Sequence, residues 1–451
     1  MAKRKAKRRK PKAKITCVPR KDVVKASDGN KDKPVTPAAE IKDAAAREKA
    51  LELLQSPDFF NKMISVTKRM GLVGETLNAL VVYVVGVSRL LAKPLCLFIK
   101  GASSAGKNCL ADTVLALFPQ SEQQNLTSAS LRSWNYMGDR LQHKIVYVAE
   151  RNEQSGHVHP VRLLISENEL IHWVTVKRDG QFIQERQVTK GPIASISTTT
   201  RDEVEVDDET RHVSVWMDES PEQTTRIVRQ ALIERQTLAD DELKAWHEVQ
   251  RLLEERAGFP IEFPSWFPSI ADFVGNDDVR VRRYFPAFLQ ACKTVALIRS
   301  FKRNEEELRK EGKITVKFTD FAIAALIFAP VFAKSLDQAS EQEFETQQHV
   351  ERISARNDGR PVSATDLARE LNISPDKAYS LLRSAKDAGT VIKANPPART
   401  NLKLYLPATG GSFLPDPEAL FHKLRDSSSE RVKFIHPITG EWVEYRRDGN
   451  K

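Results

Sequence analysis

Apolar positions recurring at three- and four-residue steps predict a helix from Ala38 to Leu54. A second begins at Ser56-Pro57-Asp58 and runs to Lys68. Gly71 and Gly74 break the pattern, and Glu75–Leu91 has the length and apolar content of a third. Leu95–Ile99, Lys144–Val148 and Pro192–Ser197 are short apolar runs, as expected of strands covered on both faces. Cys109–Phe118, between the first two, has a helical period. Strands alternating with helices predict an α/β core, a parallel sheet with helices on both faces. Trp173–Val176 and Phe182–Val188 alternate on either side of Asp179-Gly180, which predicts a β-hairpin. A further alternation, HVSVWM, covers His212–Met217.

Beyond this core the pattern turns helical. Asp240–Glu255 is amphipathic, Pro260–Pro268 is a proline- and aromatic-rich connector, and Asn276–Phe301 and Thr319–Leu336 follow as helices. A last unit starts near Glu351. Ala364–Leu371 reads as a helix and Asn372-Ile373 as a turn. Ser374-Pro375 supplies an N-cap and a first-turn proline for a helix to Ala388, closed by Gly389. Val391–Lys393 and Leu402–Leu406 flank the loop Ala394–Asn401 as two strands. Helix–turn–helix with a two-stranded wing describes a winged helix. Its second helix buries Ala378, Leu381, Leu382 and Ala385 and turns Lys377, Ser380, Arg383 and Ser384 outward. With Arg399 in the wing, Lys377, Ser380 and Arg383 are candidate DNA contacts, although winged helices also serve as protein–protein spacers.

The expected layout is a basic tail (1–36), a helical region (37–94), the α/β core (95–235, hairpin insertion 172–189), a helical lid or connector (236–345), the winged helix (351–407) and a tail without motif (408–451). Charge changes the picture at one place. Residues 1–36 hold fourteen Lys/Arg against three Asp, which outweighs the formal net charge of +10 and leaves the rest close to neutral. Such a segment has too few apolar residues to fold and is suited to polyanions. The four cysteines, Cys17, Cys96, Cys109 and Cys292, form no CxxC pair, which excludes zinc-ribbon and dithiol motifs and fits reduced thiols. The apolar stretch Leu77–Val87 ends at Ser88-Arg89, short of a bilayer span, and no signal core follows the basic start. The expectation is a cytoplasmic chain with no membrane partner.

The chemistry concentrates after Ile99. Gly101–Asn108 reads GASSAGKN, at the end of a strand and the start of a helix. That context defines a phosphate-binding loop. Main-chain N–H groups of Gly101, Ser103, Ser104, Ala105, Gly106, Lys107 and Asn108 face the phosphates. Lys107 reaches the β- and γ-phosphates, and the helix N-terminus adds positive potential. The eighth position, usually a Ser or Thr that binds Mg2+, is Asn108, whose amide oxygen suits the same hard cation. ATP and Mg2+ are therefore the expected ligands. Glu150, just past the second strand, is the candidate general base and a metal neighbour; Ala149 stands where an Asp is usual, and Glu153 lies three residues on. Thr198, Thr199 and Thr200 end the third strand, with Thr199 the candidate γ-phosphate sensor. Arg211 is a candidate arginine finger, Arg226 a second sensor, and Lys177 and Arg178 candidate DNA contacts at the hairpin tip. Each arginine also has a plain reading as a surface salt-bridge residue.

The runs KPLCLFIKGASSAGKN, WNYMGDRLQHKIVYVAERNE, GPIASISTTT, DDETRHVSVWMDESPEQTTR and VRVRRYFPAFLQACKTVALI together resemble a bacterial AAA+ P-loop ATPase family. Its members are often fused behind zinc-finger DNA primases in phages and integrated elements. The resemblance spans roughly Leu53 to Lys302. It implies a homo-oligomeric, ring-forming or DNA-tracking ATPase in replication. It also implies a hairpin that enters the channel and touches single-stranded or forked DNA, Arg211 acting in trans, and a separately encoded primase as partner. The expected function is an ATP-dependent DNA motor of helicase type. The alternative is an ATP-binding switch or loader with weak hydrolysis, which Asn108 and Ala149 favour; a small-molecule kinase is the third class.

Overall fold

The computed structural model describes residues 37–126, 134, 136–151, 158–178, 181–201, 204–233, 238–275, 280–336, 341–356, 360–387, 391–394, 403–407, 413–424 and 431–446. The basic tail, Glu153, the Asp179-Gly180 turn, Gly389 and Arg399 lie outside them, as does the side chain of Arg178.

Three helices come first, α1 (Pro37–Gln55), α2 (Phe59–Arg69) and α3 (Thr76–Ser88). Helix α3 is valine-rich yet helical, because nearly every side chain from Asn78 to Ser88 is buried and packing overrides the β-preference of valine. Gly86 is needed within it: a Cβ there would meet the Phe118 ring at 2.6 Å. The α/β core then runs β1 (Leu97–Lys100), α4 (Lys107–Leu115), β2 (Gln123–Leu126), β3 (Lys144–Val148), α5 (Val158–Glu167), β4 (Glu169–Arg178), β5 (Gln181–Lys190), β6 (Ile193–Thr199), α6 (Val206–Glu209), β7 (Val213–Trp216) and α7 (Pro221–Ala231).

Five strands form one parallel sheet in the order β2-β3-β6-β1-β7. Strand β6 thus lies between the strand that carries the phosphate loop and the strand that carries Glu150. Alternation divides the sheet between two cores. Leu97, Ile99, Ile145, Tyr147, Ile196, Val213 and Val215 join the main core, while Val146 and Val148 join Trp134, Val161 and Leu164 in a smaller one. The sheet is therefore covered on both sides, as the apolar runs required. Strand β2, the polar edge segment QQNL, has no counterpart among the expected strands. Helix α4 starts at Lys107, two residues before the expected start.

Strands β4 and β5 pair only with each other, in register from Glu169↔Lys190 to Arg178↔Gln181. The hairpin thus extends three residues earlier and one later than 172–189.

After the core come α8 (Asp240–Arg256), β8 (Ile261–Glu262), α9 (Val281–Arg299), α10 (Glu305–Glu311), β9 (Ile314–Thr315) and α11 (Phe318–Leu336). By length and composition α11 is apolar enough to cross a membrane. Here it packs in the main core, with Phe321, Ala322, Ala324, Ile327, Phe328 and Phe332 buried. It is a longer apolar helix than the Leu77–Val87 stretch singled out above.

A separate small core gathers Val350, Ile353, Val362, Leu367, Ala378, Leu382, Ala385, Val391 and Tyr405. Its elements are α12 (Glu341–Arg356), β10 (Val362–Ser363), α13 (Ala364–Leu371), α14 (Pro375–Asp387), β11 (Val391–Ala394) and β12 (Leu404–Pro407), with antiparallel strands in the order β10-β12-β11. Ser363 and Asp366 form a reciprocal capping box on α13, and Asn372 ends it in the left-handed region at φ 53°. The segment expected as a C-terminal tail is folded. Helix α15 (Pro417–Lys423) and the hairpin β13 (Arg431–Ile435) with β14 (Trp442–Arg446) return to the main core through Leu420, Phe421, Val432, Phe434 and Tyr445. Those aromatic contacts are long-range, so no local motif announces them.

Candidate nucleotide site

Register builds the site. Lys100 pairs with Thr199 and with Trp216, and Val148 pairs with Ser197. The ends of β1, β6 and β7 are therefore level, β3 ends two residues short of them, and the loop after β1, Glu150 and the threonines at the end of β6 share the carboxyl edge of the sheet. Ligands of open α/β sheets bind at that edge.

The loop has the conformation its glycines permit. Gly106 sits at φ 94° as the N-cap of α4, Gly101 at φ 154° and Ser104 at φ 76°. A Cβ on Gly101 would come within 3.0 Å of a Glu219 carboxylate oxygen. Lys107 is buried, and its ammonium donates to the Gly101 carbonyl at 2.6 Å and to the Ala102 carbonyl at 2.8 Å. Burial lowers its pKa, opposed by the fields of Glu219 and then Glu150. Two carboxylates thus face this cation.

Glu150 stands on a left-handed residue, φ 54°, held from both sides. Its N–H donates to Thr198 Oγ1 at 2.8 Å, and the next N–H, of Arg151, donates to the Thr198 carbonyl at 2.8 Å. Thr198 Oγ1 in turn donates to Asn108 Oδ1 at 3.2 Å, which also accepts from the Tyr147 hydroxyl at 3.3 Å. One hydroxyl therefore ties the loop's last residue to the turn that presents Glu150. Thr199 does not share this role: its hydroxyl accepts from the Arg201 N–H at 3.1 Å. Neighbouring residues of a strand point to opposite faces, so only one of the pair can face α4. Replacing Thr198 with valine leaves the Glu150 N–H and Asn108 without this partner. We expect ATP turnover to fall about 10- to 100-fold, the rate equivalent of the 1–3 kcal/mol for an orphaned polar group. Steady-state kinetics beside a thermal melt separates this from unfolding.

Arg151 anchors the same turn. It pairs with the buried Asp208, whose carboxylate also takes Arg162 Nε at 2.8 Å, and its guanidinium lies 4.9 Å from the Phe98 ring centroid. His212 stacks on the same ring at 4.0 Å between centroids and donates from Nδ1 to the Asp208 carbonyl at 2.8 Å. Burial, then the Arg151 charge, pushes the His212 pKa down to about 3. Unfolded, a histidine titrates near pH 6.5, so between these values the unfolded chain binds the extra proton. Stability should be full above pH 6.5 and fall by about 1.4 kcal/mol per unit as pH drops toward 3. Urea midpoints from pH 7 to 4 would show this slope, and His212→Phe should flatten it.

The remaining candidates are dispersed. Arg211 precedes β7 and so lies toward the amino edge, away from its own phosphate loop; its Nε donates to Ser166 Oγ at 3.1 Å. Arg226 is exposed on α7 and pairs with Asp218 at 3.2 Å. Lys177 is exposed on the hairpin, its Nζ 5.7 Å from the Phe182 ring centroid. Lys377, Ser380 and Arg383 are exposed on α14, opposite the buried Ala378, Leu382 and Ala385.

Glu219 was not legible in advance. It follows β7, and its carboxylate accepts the Ala102 N–H of the phosphate loop. An anion entering the loop must compete with it. Among the described residues no group of three or more His, Cys, Asp or Glu could hold a metal ion.

No protein-family model matches this chain, and no curated protein matches it. Matching solved structures include a Cytophaga hutchinsonii protein provisionally described as an ATPase, 11% identical over 64% of this chain and 88% of that one, with a TM-score of 0.35. Another is a full-length MCM homologue from Methanopyrus kandleri, 11% identical over 66% of this chain and 62% of that one, with a TM-score of 0.38. This chain therefore spans less than two thirds of the Methanopyrus protein. Alignments this loose carry no functional weight, and the side chains must carry it instead.

Proposed function

We propose that the chain is an ATP-hydrolysing DNA motor of the AAA+ class, acting as a helicase in replication, with a separately encoded primase as partner. The observation that carries this reading is the convergence of Lys107, Asn108, Thr198 and Glu150 on one sheet edge, with Asn108 and the Glu150 turn joined by the Thr198 hydroxyl. Lys107 and the loop N–H groups hold the triphosphate. Glu150, an exposed carboxylate on a fixed turn, accepts the proton of the attacking water. Asn108 and Glu150 would hold Mg2+, which neutralises phosphate charge when bound.

Arg211 fits trans use, because the amino edge can meet only a neighbour's nucleotide; a homo-oligomeric ring is the assembly this favours. Arg226, paired with Asp218 on the segment that follows β7, is the proposed second sensor. Lys177 and Arg178 on the hairpin, together with Lys377, Ser380, Arg383 and Arg399 of the winged helix, are the proposed DNA contacts.

One observation favours the switch or loader instead. Both lone pairs of Asn108 Oδ1 already accept hydroxyl protons, so metal ligation there must displace a donor. Strand displacement on forked DNA decides between them. The motor predicts ATP-dependent separation by the wild type and none by Glu150→Gln; equal failure of both supports the switch.

A further inference from the structure

Glu219 meets the phosphate loop from the side that Glu150 leaves open. The sheet order sets β7 beyond β1, away from β6 and β3. Asn108, Thr198 and the Glu150 turn are joined on the β6 and β3 side. The loop thus stands between two carboxylates. That of Glu219 takes the Ala102 N–H, and its field on Lys107 is stronger than that of Glu150. It claims what a phosphate oxygen would claim, a loop N–H and the loop's cation. The segment that carries it is tied at both ends to the turn before α3. The Asp218 N–H donates to Glu75 Oε1 at 2.8 Å, and the buried Gln223 donates from Nε2 to the Val73 carbonyl at 2.7 Å. Glu75 stands at φ 49°, a backbone state that costs energy for any residue but glycine. It precedes α3, yet its side chain does not cap that helix. Its Oε2 instead accepts from Asn78 Nδ2 at 2.5 Å, and Asn78 also donates to the Trp216 carbonyl at 2.8 Å. The carboxylate of Glu75 therefore serves the segment after β7.

We infer that Glu219 is an affinity-setting residue, an internal anion that competes with the triphosphate and loosens substrate and product alike, and that Glu75 is the positioning residue that holds it at the loop. The role rests on the triphosphate reading of the site and adds to it a residue that opposes binding. Such opposition serves turnover, because ADP must leave in every cycle and a loop lined only by attraction would retain it.

The test is calorimetry on the full chain with Mg2+ and three ligands: the uncleaved imido analogue of ATP, ADP and adenosine. Glu219→Gln keeps the shape of the side chain and removes its charge. It should tighten the ATP analogue about tenfold or more, toward the low end for a unit charge at contact distance, since Glu219 is exposed. The gain should be smaller for ADP and absent for adenosine, and it should shrink in about 0.5 M salt. Damage to the fold lowers affinity, so a gain identifies the charge. Glu222→Gln, the same charge change on the exposed first turn of α7, should leave all three affinities as they are. Glu75→Gly suits the left-handed backbone and removes the carboxylate. It should also tighten the ATP analogue, yet add nothing in a Glu219→Gln background, because it acts through that residue. Wild-type binding that depends on Lys107 but is not tightened by Glu219→Gln overturns the inference and leaves the triphosphate site standing. No binding by wild type and Glu219→Gln alike overturns both. An equal gain for adenosine, or from Glu222→Gln, overturns the competition, and additive gains from Glu75→Gly and Glu219→Gln overturn the positioning role.

Discussion

Lys107→Ala should reduce ATP turnover by about a thousandfold and abolish measurable ATP binding. Two functions are lost together. The ammonium joins the Gly101 and Ala102 carbonyls at 2.6 and 2.8 Å, which staples the phosphate loop closed on its own backbone. In the proposed function it is also the cation offered to the γ-phosphate, from a desolvated position where fixed charges act most strongly. Removing one such donor from a preorganised site typically costs about 10²–10³ in rate, and here the loop's staple is lost as well. Lys107→Met, which keeps the aliphatic volume, should show the same kinetic defect with a thermal midpoint close to wild type. That pairing shows that the loss is chemical.

Glu150→Gln should separate binding from cleavage. Glutamine is isosteric and keeps the N–H bond to Thr198 Oγ1, so the φ 54° turn persists. Only the ability to take a proton disappears. General-base catalysis contributes about 10²–10⁴, so single-turnover hydrolysis should slow by that factor while ATP affinity changes by less than about tenfold. A defect confined to affinity would remove Glu150 from the base role. Thr198→Val should fall between this variant and wild type, because it loosens the turn and keeps the carboxylate.

The phosphate loop was legible because three local signals coincide: the apolar run to Ile99, the glycine spacing of Gly101–Gly106 and the helical period after Lys107. The place of Glu150 at the sheet edge was legible for a similar reason, since it stands just past an uninterrupted apolar strand. What was not legible depended on partners. Choosing Thr199 over Thr198 required the direction of alternation along β6, which is set by its pairing with β1 and β3. Glu219 approaches the loop only because β7 lies beside β1, a neighbour with no trace in its own residues. Strand β2 escaped notice because an edge strand is free to be polar. The aromatic side chains of the hairpin were visible as letters, but their exposure was not: alternation alone fits a hairpin packed on the core as well as one facing water. Residues 413–446 show the same limit, since Phe421 and Tyr445 reach the core by long-range contacts.

The most direct measurement is a calorimetric titration of ATP with Mg2+ into the purified full-length chain, with Lys107→Ala as the comparison. A saturable heat at one site per protomer, absent from the variant, is the predicted result. No heat from the wild type, or equal heats from both proteins, would contradict a triphosphate site at Lys107.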